Sequence, residues 1–437
     1  MERRSKAIEI FLTGVESVKP GNLIDRYVSL NENTLKIDRL KFTLSDIRNI
    51  FVVGAGKASA LMARAIETIL GERVSGGQIV TKYEHGVPLR YIKITEAGHP
   101  VPDENGIEAT EKILSVTGRA GKGDLVLCLI SGGGSALLTD LPDGCTLEDL
   151  KSLTGTLLRV GADITEINCI RKHLSRVKGG MLSYSAYPAR VISLILSDVI
   201  GDPLDAIASG PTAPDPTTFK DAITIIDKYR IRAEMPVRII EILEEGAKGK
   251  RQETLKESDT IFSLTSNLII GNNTLALQTA KEKAESYGYV TRIVTSSLSG
   301  DVTDAAEFIF GEILKHKNKD SGTKTCLLFG GEPTVKISGE GLGGRNQHLA
   351  LLMAEKLREL PRITFLSGGT DGTDGPTDAA GAVIDSDTWQ RAKALGLDVE
   401  QHITNCDSYN FFRREGGLIV TGPTQTNVMD LLVTLIY

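Results

Sequence analysis

Two cations in this chain stand where a positive charge is unfavourable. Lys57 follows Gly54 and Gly56 in GAGKAS, at the start of a helical stretch, and Arg345 precedes NQHLALLMAEKLREL in GEGLGGRNQ. The N-terminus of a helix carries partial positive charge, so a cation placed on it is easiest to explain by an anion bound between the two. The guanidinium fork of arginine matches phosphate geometry, and the glycines before Arg345 provide a hinge. The competing readings are a solvated lysine on a tight strand-to-helix turn and a surface arginine in a loop.

Other residue groups suit the same anion chemistry. Ser131, Gly132, Gly133, Gly134 and Ser135 form SGGGS, where successive glycine amides can build an anion-binding nest with two hydroxyls beside it. Asn168, Arg171, Ser175 and Lys178 recur at helical spacing and would give one helix a polar, basic face, suited to a small carboxylate or merely to water. Asp198 ends the apolar run VISLILSD, ahead of Asp202 and Asp205. A carboxylate at a buried strand end is costly unless it is paired, bound to metal or used as a cap. Asp371, Asp374 and Asp378 crowd GTDGTDGPTDAAG, a hard-oxygen cluster of the kind Mg2+ accepts, although Asp-Gly turns explain part of the pattern. Glu332 in GGEPTV and Asn346 beside Arg345 complete the candidate set. Together these parts would serve phosphoryl transfer, which needs donors around phosphate oxygens, cations against developing charge, and carboxylates that hold Mg2+ or orient a hydroxyl. His99 in AGHPVPDENG has a deliberate-looking setting, but a lone histidine is more often structural.

GAGKAS is neither of two better-known phosphate loops. As a Walker A motif it lacks the first glycine, with Phe51 near its place, and Ser59 comes one residue late. As a dinucleotide fingerprint it has Ser59 in place of the third glycine, and Lys82 lies where an acid for the ribose is expected. No HExxH, GxSxG or paired CxxC motif occurs, which removes local support for zinc proteolysis and for the usual hydrolase elbow.

Five short apolar runs position these loops: IFVVGAGKAS, LVLCLISGGGS, VISLILSDVIGD, CLLFGGEPTV and ITFLSGGTDGTDG. Each ends in glycine or aspartate. Continuous apolar runs of this length suit strands buried on both faces, the habit of parallel sheets flanked by helices, whose ligands bind beyond the carboxyl ends of the strands. Helical stretches alternate with the runs, after Gly56, from Thr146, after Asn272 and after Arg345, so the chain reads as an α/β protein. At 437 residues it is too long for one core and is expected to form two domains. The polar, charged stretch EEGAKGKRQETLKESD places their boundary near residue 250, giving domains 1–250 and 251–437.

The hydrophobic fraction of 41% and charged fraction of 24% are those of an ordinary globular protein. A formal net charge of -6 gives no field that would hold a polyanion, which argues against nucleic acid. No run approaches the ~20 apolar residues needed to span a bilayer. Five scattered cysteines and an N-terminal stretch that alternates charge with apolar residues fit a reducing, cytoplasmic setting.

Assembled in order, GAGKAS, AGHPVPDENG, LISGGGSALL, RKHLSRVKGG, LSDVIGDPLDAIASGPT, GGRNQ, GTDGTDGPTDAAGAVID and GPTQTNV resemble the type-2 glycerate kinases, whose C-terminal portion is called the MOFRL domain. The resemblance runs nearly end to end. It implies a larger Rossmann-like parallel-sheet domain, a smaller α/β domain and an active site in the cleft between them, working with ATP and Mg2+. It also implies that Lys57 and Arg345 take part in phosphoryl transfer, and that D-glycerate becomes 2-phosphoglycerate in non-phosphorylative, Entner-Doudoroff-type sugar breakdown. In that scheme Lys57, Arg345 and Asp198 are catalytic, and Asp198, Asp371 and Asp374 hold metal. Gly54, Gly56, the SGGGS loop, Arg171, Lys178, Glu332 and Asn346 bind substrate or phosphate. The competing readings are phosphorylation at the 3-hydroxyl, an NAD(P)H-dependent hydroxypyruvate reductase, and a non-catalytic nucleotide-binding regulator. Oligomeric state is not legible in the sequence, and a homo-oligomer is compatible with it.

Overall fold

The computed structural model describes residues 2–317 and 322–437. The chain divides into two compact units, one spanning Leu23–Ile270, the other Gly271–Tyr437 together with the N-terminal segment up to Asn22.

The first unit opens with a small antiparallel sheet of β1 (Val28–Asn31), β2 (Thr34–Ile37) and β3 (Leu40–Thr43). Its main sheet contains β4 (Ile50–Ala55), β5 (Val74–Lys82), β6 (Ile92–Ala97), β7 (Leu125–Ile130), β8 (Arg190–Leu196) and β9 (Thr265–Gly271), in the order β6-β5-β4-β7-β8-β9. That is the 3-2-1-4-5-6 order of the doubly wound dinucleotide fold, whose switch point lies between the first and fourth strands. Here those strands are β4 and β7, parallel and buried at every position, as their uninterrupted apolar sequences require. Connecting helices are fixed by their caps. Asp103 accepts the Gly106 amide ahead of the helix Glu104–Thr117, and capping boxes at Thr146 and Asp163 start the helices Leu147–Arg159 and Ile164–His173.

Two expectations change in this unit. The basic face read across Asn168, Arg171, Ser175 and Lys178 is not one helix face, because the helix stops at His173. The Ser175 hydroxyl accepts the amides of Val177 and Lys178, a local turn that competes with helix continuation. The charged stretch expected to link the domains is instead fastened into the first unit. Its Leu255 is buried, accepts the Asp215 amide and donates its own amide to Gly179. The unit continues through β9, so its boundary falls at Ile270 and not near residue 250.

The second unit is built on β10 (Val290–Leu298), β11 (Thr325–Gly331), β12 (Ile363–Gly369), β13 (Gly381–Asp385), β14 (Leu418–Ile419) and β15 (Asp430–Ile436), in the order β10-β11-β15-β12-β13-β14. Only β10 and β11 pair in parallel; β15 inserts antiparallel between β11 and β12. The runs CLLFGG and ITFLSGG are thus buried strands of a mixed sheet, not further members of the parallel one. Burial on both faces produces the same apolar run in either setting.

The N-terminal helix Glu2–Ser17 belongs to this second unit. Its Arg4 guanidinium bonds Asp385 and Glu415, each at 2.8 Å, and Arg391 joins the same two carboxylates.

Candidate functional site

At the carboxyl ends of β4 and β7 the GAGKAS turn and the SGGGS loop are locked together. The Lys57 amide donates to the Gly132 carbonyl at 2.9 Å, and the Ala58 amide donates to Ser131 Oγ at 3.0 Å. Ser59 Oγ donates to the Leu129 carbonyl at 3.0 Å, and Thr81 Oγ1 at the end of β5 donates to the Gly56 carbonyl at 3.0 Å. Two amides of the turn, those of Lys57 and Ala58, are therefore spent on the neighbouring loop. None of these bonds uses the amides of Gly132 and Gly133.

The close approaches around SGGGS show what surrounds it. A β-carbon on Gly132 would collide with the Asp198 carboxylate. Gly133 has φ +82°, and a β-carbon there would lie 2.9 Å from His99 Nε2 and 3.5 Å from Lys57 Cε. Only glycine gives both the left-handed backbone and the clearance. Lys57, His99 and Asp198 thus converge on Gly132 and Gly133 from three strand ends. Burial pushes the His99 imidazole down to about 4, with the charges of Lys57 and Lys82 acting in the same direction, so it is neutral near pH 7. Ala208 and Ser209 close the far side of the loop with φ of 51° and 61°, a conformation costing about 1–3 kcal/mol each. Ser209 Oγ lies 2.8 Å from Ser135 Oγ and 3.2 Å from Asn168 Oδ1.

Arg171 and Lys178 reach this loop from behind. Arg171 donates to the Ser135 carbonyl at 2.7 Å, and Lys178 donates to the Leu138 carbonyl. Both carbonyls lie at or beside the short helix Gly134–Leu137 that follows the glycines. Asp205, in turn, is held by Lys172 at 3.1 Å.

In the second unit the candidate residues gather at the ends of three adjacent inner strands, β11, β15 and β12. Gly331 of β11 and Gly369 of β12 both pair with Asp430, the first residue of β15. Arg345, the first residue of the helix Arg345–Lys356, grips the buried Asp430 with its fork, Nε to Oδ2 at 2.7 Å and a terminal nitrogen to Oδ1 at 2.9 Å. Its other terminal nitrogen pairs with Glu332 at 2.9 Å. Burial opposes the charge, but the two carboxylates outweigh it and hold the guanidinium above its usual pKa.

The anion that the helix-pole reasoning demanded for Arg345 is thus supplied by the chain itself. Asp374 supplies a second one. Its Oδ1 accepts the Asn346 amide at 3.0 Å, and its Oδ2 accepts the Gln347 amide at 2.8 Å and Gln347 Nε2 at 3.0 Å. Both oxygens are committed to the helix N-terminus, so Asp374 is a cap and not the metal ligand expected from its loop. Burial pushes its carboxyl up to about 6 despite these donors. Asn346 is likewise a structural pin, since its Oδ1 accepts Ser367 Oγ at 2.6 Å. Asp378 accepts the Tyr409 hydroxyl at 2.8 Å, and Asp371 accepts the Thr373 amide at 3.0 Å within its turn.

Sequence reasoning missed Asp430 and undervalued His99. The signal for Asp430 was a lone acid opening the apolar run DLLVTLIY, the mirror image of Asp198 closing one. That for His99 was its place just after Gly98, in the loop that follows β6.

Two families match this chain: a domain of unknown function (DUF4147) over residues 6–244 and the MOFRL family over residues 325–430. A relative from Thermotoga maritima named D-glycerate 2-kinase is 42% identical, covering 98% of this chain and 97% of the relative. A relative from Agrobacterium vitis named putative hydroxypyruvate reductase is 40% identical over 88% of this chain and 86% of its own length. The crystal structure of a glycerate kinase from Thermotoga maritima superposes with a TM-score of 0.89 at 40% identity, covering 100% of both chains.

Proposed function

The chain belongs to the DUF4147–MOFRL family, the type-2 glycerate kinases, and on that premise we propose that it transfers the γ-phosphoryl group of ATP to D-glycerate, giving 2-phosphoglycerate. The observation that carries this reading is the convergence of Lys57, His99 and Asp198 on the Gly132–Gly133 turn at the switch point of the parallel sheet. Loop amides and an ammonium suit phosphate oxygens, and the carboxylate suits an attacking hydroxyl or the metal beside it. The product fits a step of non-phosphorylative sugar breakdown in the cytoplasm.

In this mechanism Lys57 and the amides of Gly132 and Gly133 hold phosphate oxygens, while Asp198 orients the acceptor hydroxyl. Neutral His99 accepts or donates one hydrogen bond without adding a charge. Arg345 keeps N–H donors beyond those given to Asp430 and Glu332, which suit a phosphoryl oxygen, and the two carboxylates fix its plane. Among the described residues no three metal-ligating side chains form a cage. Mg2+ is commonly held by one or two carboxylates with substrate phosphates completing its shell, a role that Asp198 just past the end of β8 fits and Asp374, bonded to its helix N-terminus, does not. When bound, the ion would neutralise phosphate charge.

The reductase reading is less well supported. A dinucleotide site needs the amides of the first strand-to-helix turn for the pyrophosphate and an acid near the end of the next strand for the ribose. Here the Lys57 and Ala58 amides are engaged by the SGGGS loop, and β5 ends in Lys82.

Steady-state assays of Lys57→Ala and Asp198→Asn with D-glycerate and ATP test the assignment. Each should lower kcat by about a hundredfold or more, as removal of a transition-state contact does. Full activity in either variant removes that residue from the mechanism.

A further inference from the structure

The proposed reaction leaves unused a cavity of about 430 Å3 within the first unit. Its walls are largely apolar, with Leu150, Leu153 and Leu158 on the helix Leu147–Arg159, Leu174 after the next helix, and Val101 between two prolines. Val101 and Leu158 are 61% and 63% exposed, and so mark the mouth. Exposed apolar side chains around a concave space are the mark of a binding groove.

The interior carries the opposite chemistry. Lys178 lines the same cavity at 3% exposure, together with Arg171. Each donates to a backbone carbonyl, and neither has a carboxylate partner among the described residues. The acid in the lining, Asp140, is taken by the Ser175 hydroxyl and the Arg176 amide, each at 2.6 Å. A buried ammonium outside any ion pair is unfavourable, and the charge of Asp140 compensates Lys178 only in part. Burial pushes Lys178 down to about 7, and the charge of Arg171 adds to the effect.

We infer that this cavity is a second ligand site, for a monocarboxylate with a hydrocarbon body, whose head is held by Arg171 and Lys178 and whose body lies along Leu150, Leu153, Leu158 and Val101. An anionic head suits the charge balance, because Lys151, Arg171 and Lys178 share this lining with one acid, Asp140. Glycerate does not suit it, since it has no hydrocarbon body to cover Leu150, Leu153 and Leu158. The carbonyls that Arg171 and Lys178 hold flank the short helix after SGGGS, so a head group that draws on these cations also touches the support of the phosphate loop.

Calorimetric titration of the full chain with octanoate tests the site, with octan-1-ol as the uncharged control and D-glycerate as competitor. Octanoate should bind one per chain, at least tenfold more tightly than octanol. Lys178→Met should weaken it at least tenfold. Thr154→Trp, which fills the cavity from the helix Leu147–Arg159, should do the same while retaining kinase turnover; it carries the test if Lys178→Met fails to fold. The proposal is overturned if octanoate does not bind, or if both variants bind it as the wild type does. Displacement of octanoate by D-glycerate at its KM would also overturn it, by making the cavity the acceptor's own site.

Discussion

Arg345 joins two demands in one side chain, because its fork neutralises the fully buried Asp430 while, in the proposed reaction, its remaining donors serve a phosphoryl oxygen. Arg345→Ala should therefore lower kcat and also destabilise the second unit, by about 3–5 kcal/mol, the usual result of stranding a buried charge. Arg345→Lys separates the two effects, since it keeps the charge and loses the fork; melting should recover more than kcat does. Asp374 gives a pH signature. Its folded pKa of about 6 lies above the 3.8 of an ordinary aspartate, so the stability it contributes is present below pH 4 and lost as pH rises through 6. Asp374→Asn removes that loss, and its unfolding free energy relative to wild type should improve by about 3 kcal/mol between pH 4 and pH 7. Denaturant unfolding of both proteins at the two pH values checks this. His99 should titrate near pH 4 by NMR, well below an ordinary histidine, and a value near 6.5 would mean that it is not buried beside the charges of Lys57 and Lys82.

At the scale of elements, two glycines of the SGGGS loop make room for the Asp198 carboxylate and the His99 ring. Gly133→Ala adds a methyl group where His99 stands and forces φ +82° on a residue with a β-carbon. It should cost about 1–2 kcal/mol of stability and most of the activity, read as melting temperature against kcat. Much of this organisation was legible in the sequence. The strands β4, β7 and β8 announced themselves as apolar runs, Thr146 as a cap, and Gly54, Gly56 and SGGGS as the turns at their ends. The register between the two loops was not, because the hydrogen bonds from Lys57 and Ala58 to Gly132 and Ser131 join residues more than seventy positions apart. The end of the helix at His173 was also hidden, since side-chain periodicity ran on through Ser175 and Lys178 while the Ser175 hydroxyl turned the backbone aside. The antiparallel insertion of β15 left no local mark either, because strand direction is set by pairing and not by composition.

For the whole molecule, the division into two units follows from which segments share a sheet or a core. A polar run near residue 250 suggested a linker, but Leu255 and β9 tie it to the first unit, and the N-terminal helix joins the second through Arg4. Removal of residues 2–22 should thus destabilise the second unit, leaving Glu415 and Asp385 with Arg391 alone; protease protection of the segment 381–437 would reveal it. Purified protein with D-glycerate, ATP and Mg2+, followed by phosphorus NMR, should release ADP and show the resonance of 2-phosphoglycerate. A 3-phosphoglycerate resonance would move the transfer to the other hydroxyl, while no ADP together with steady oxidation of NADH or NADPH by hydroxypyruvate would contradict the kinase.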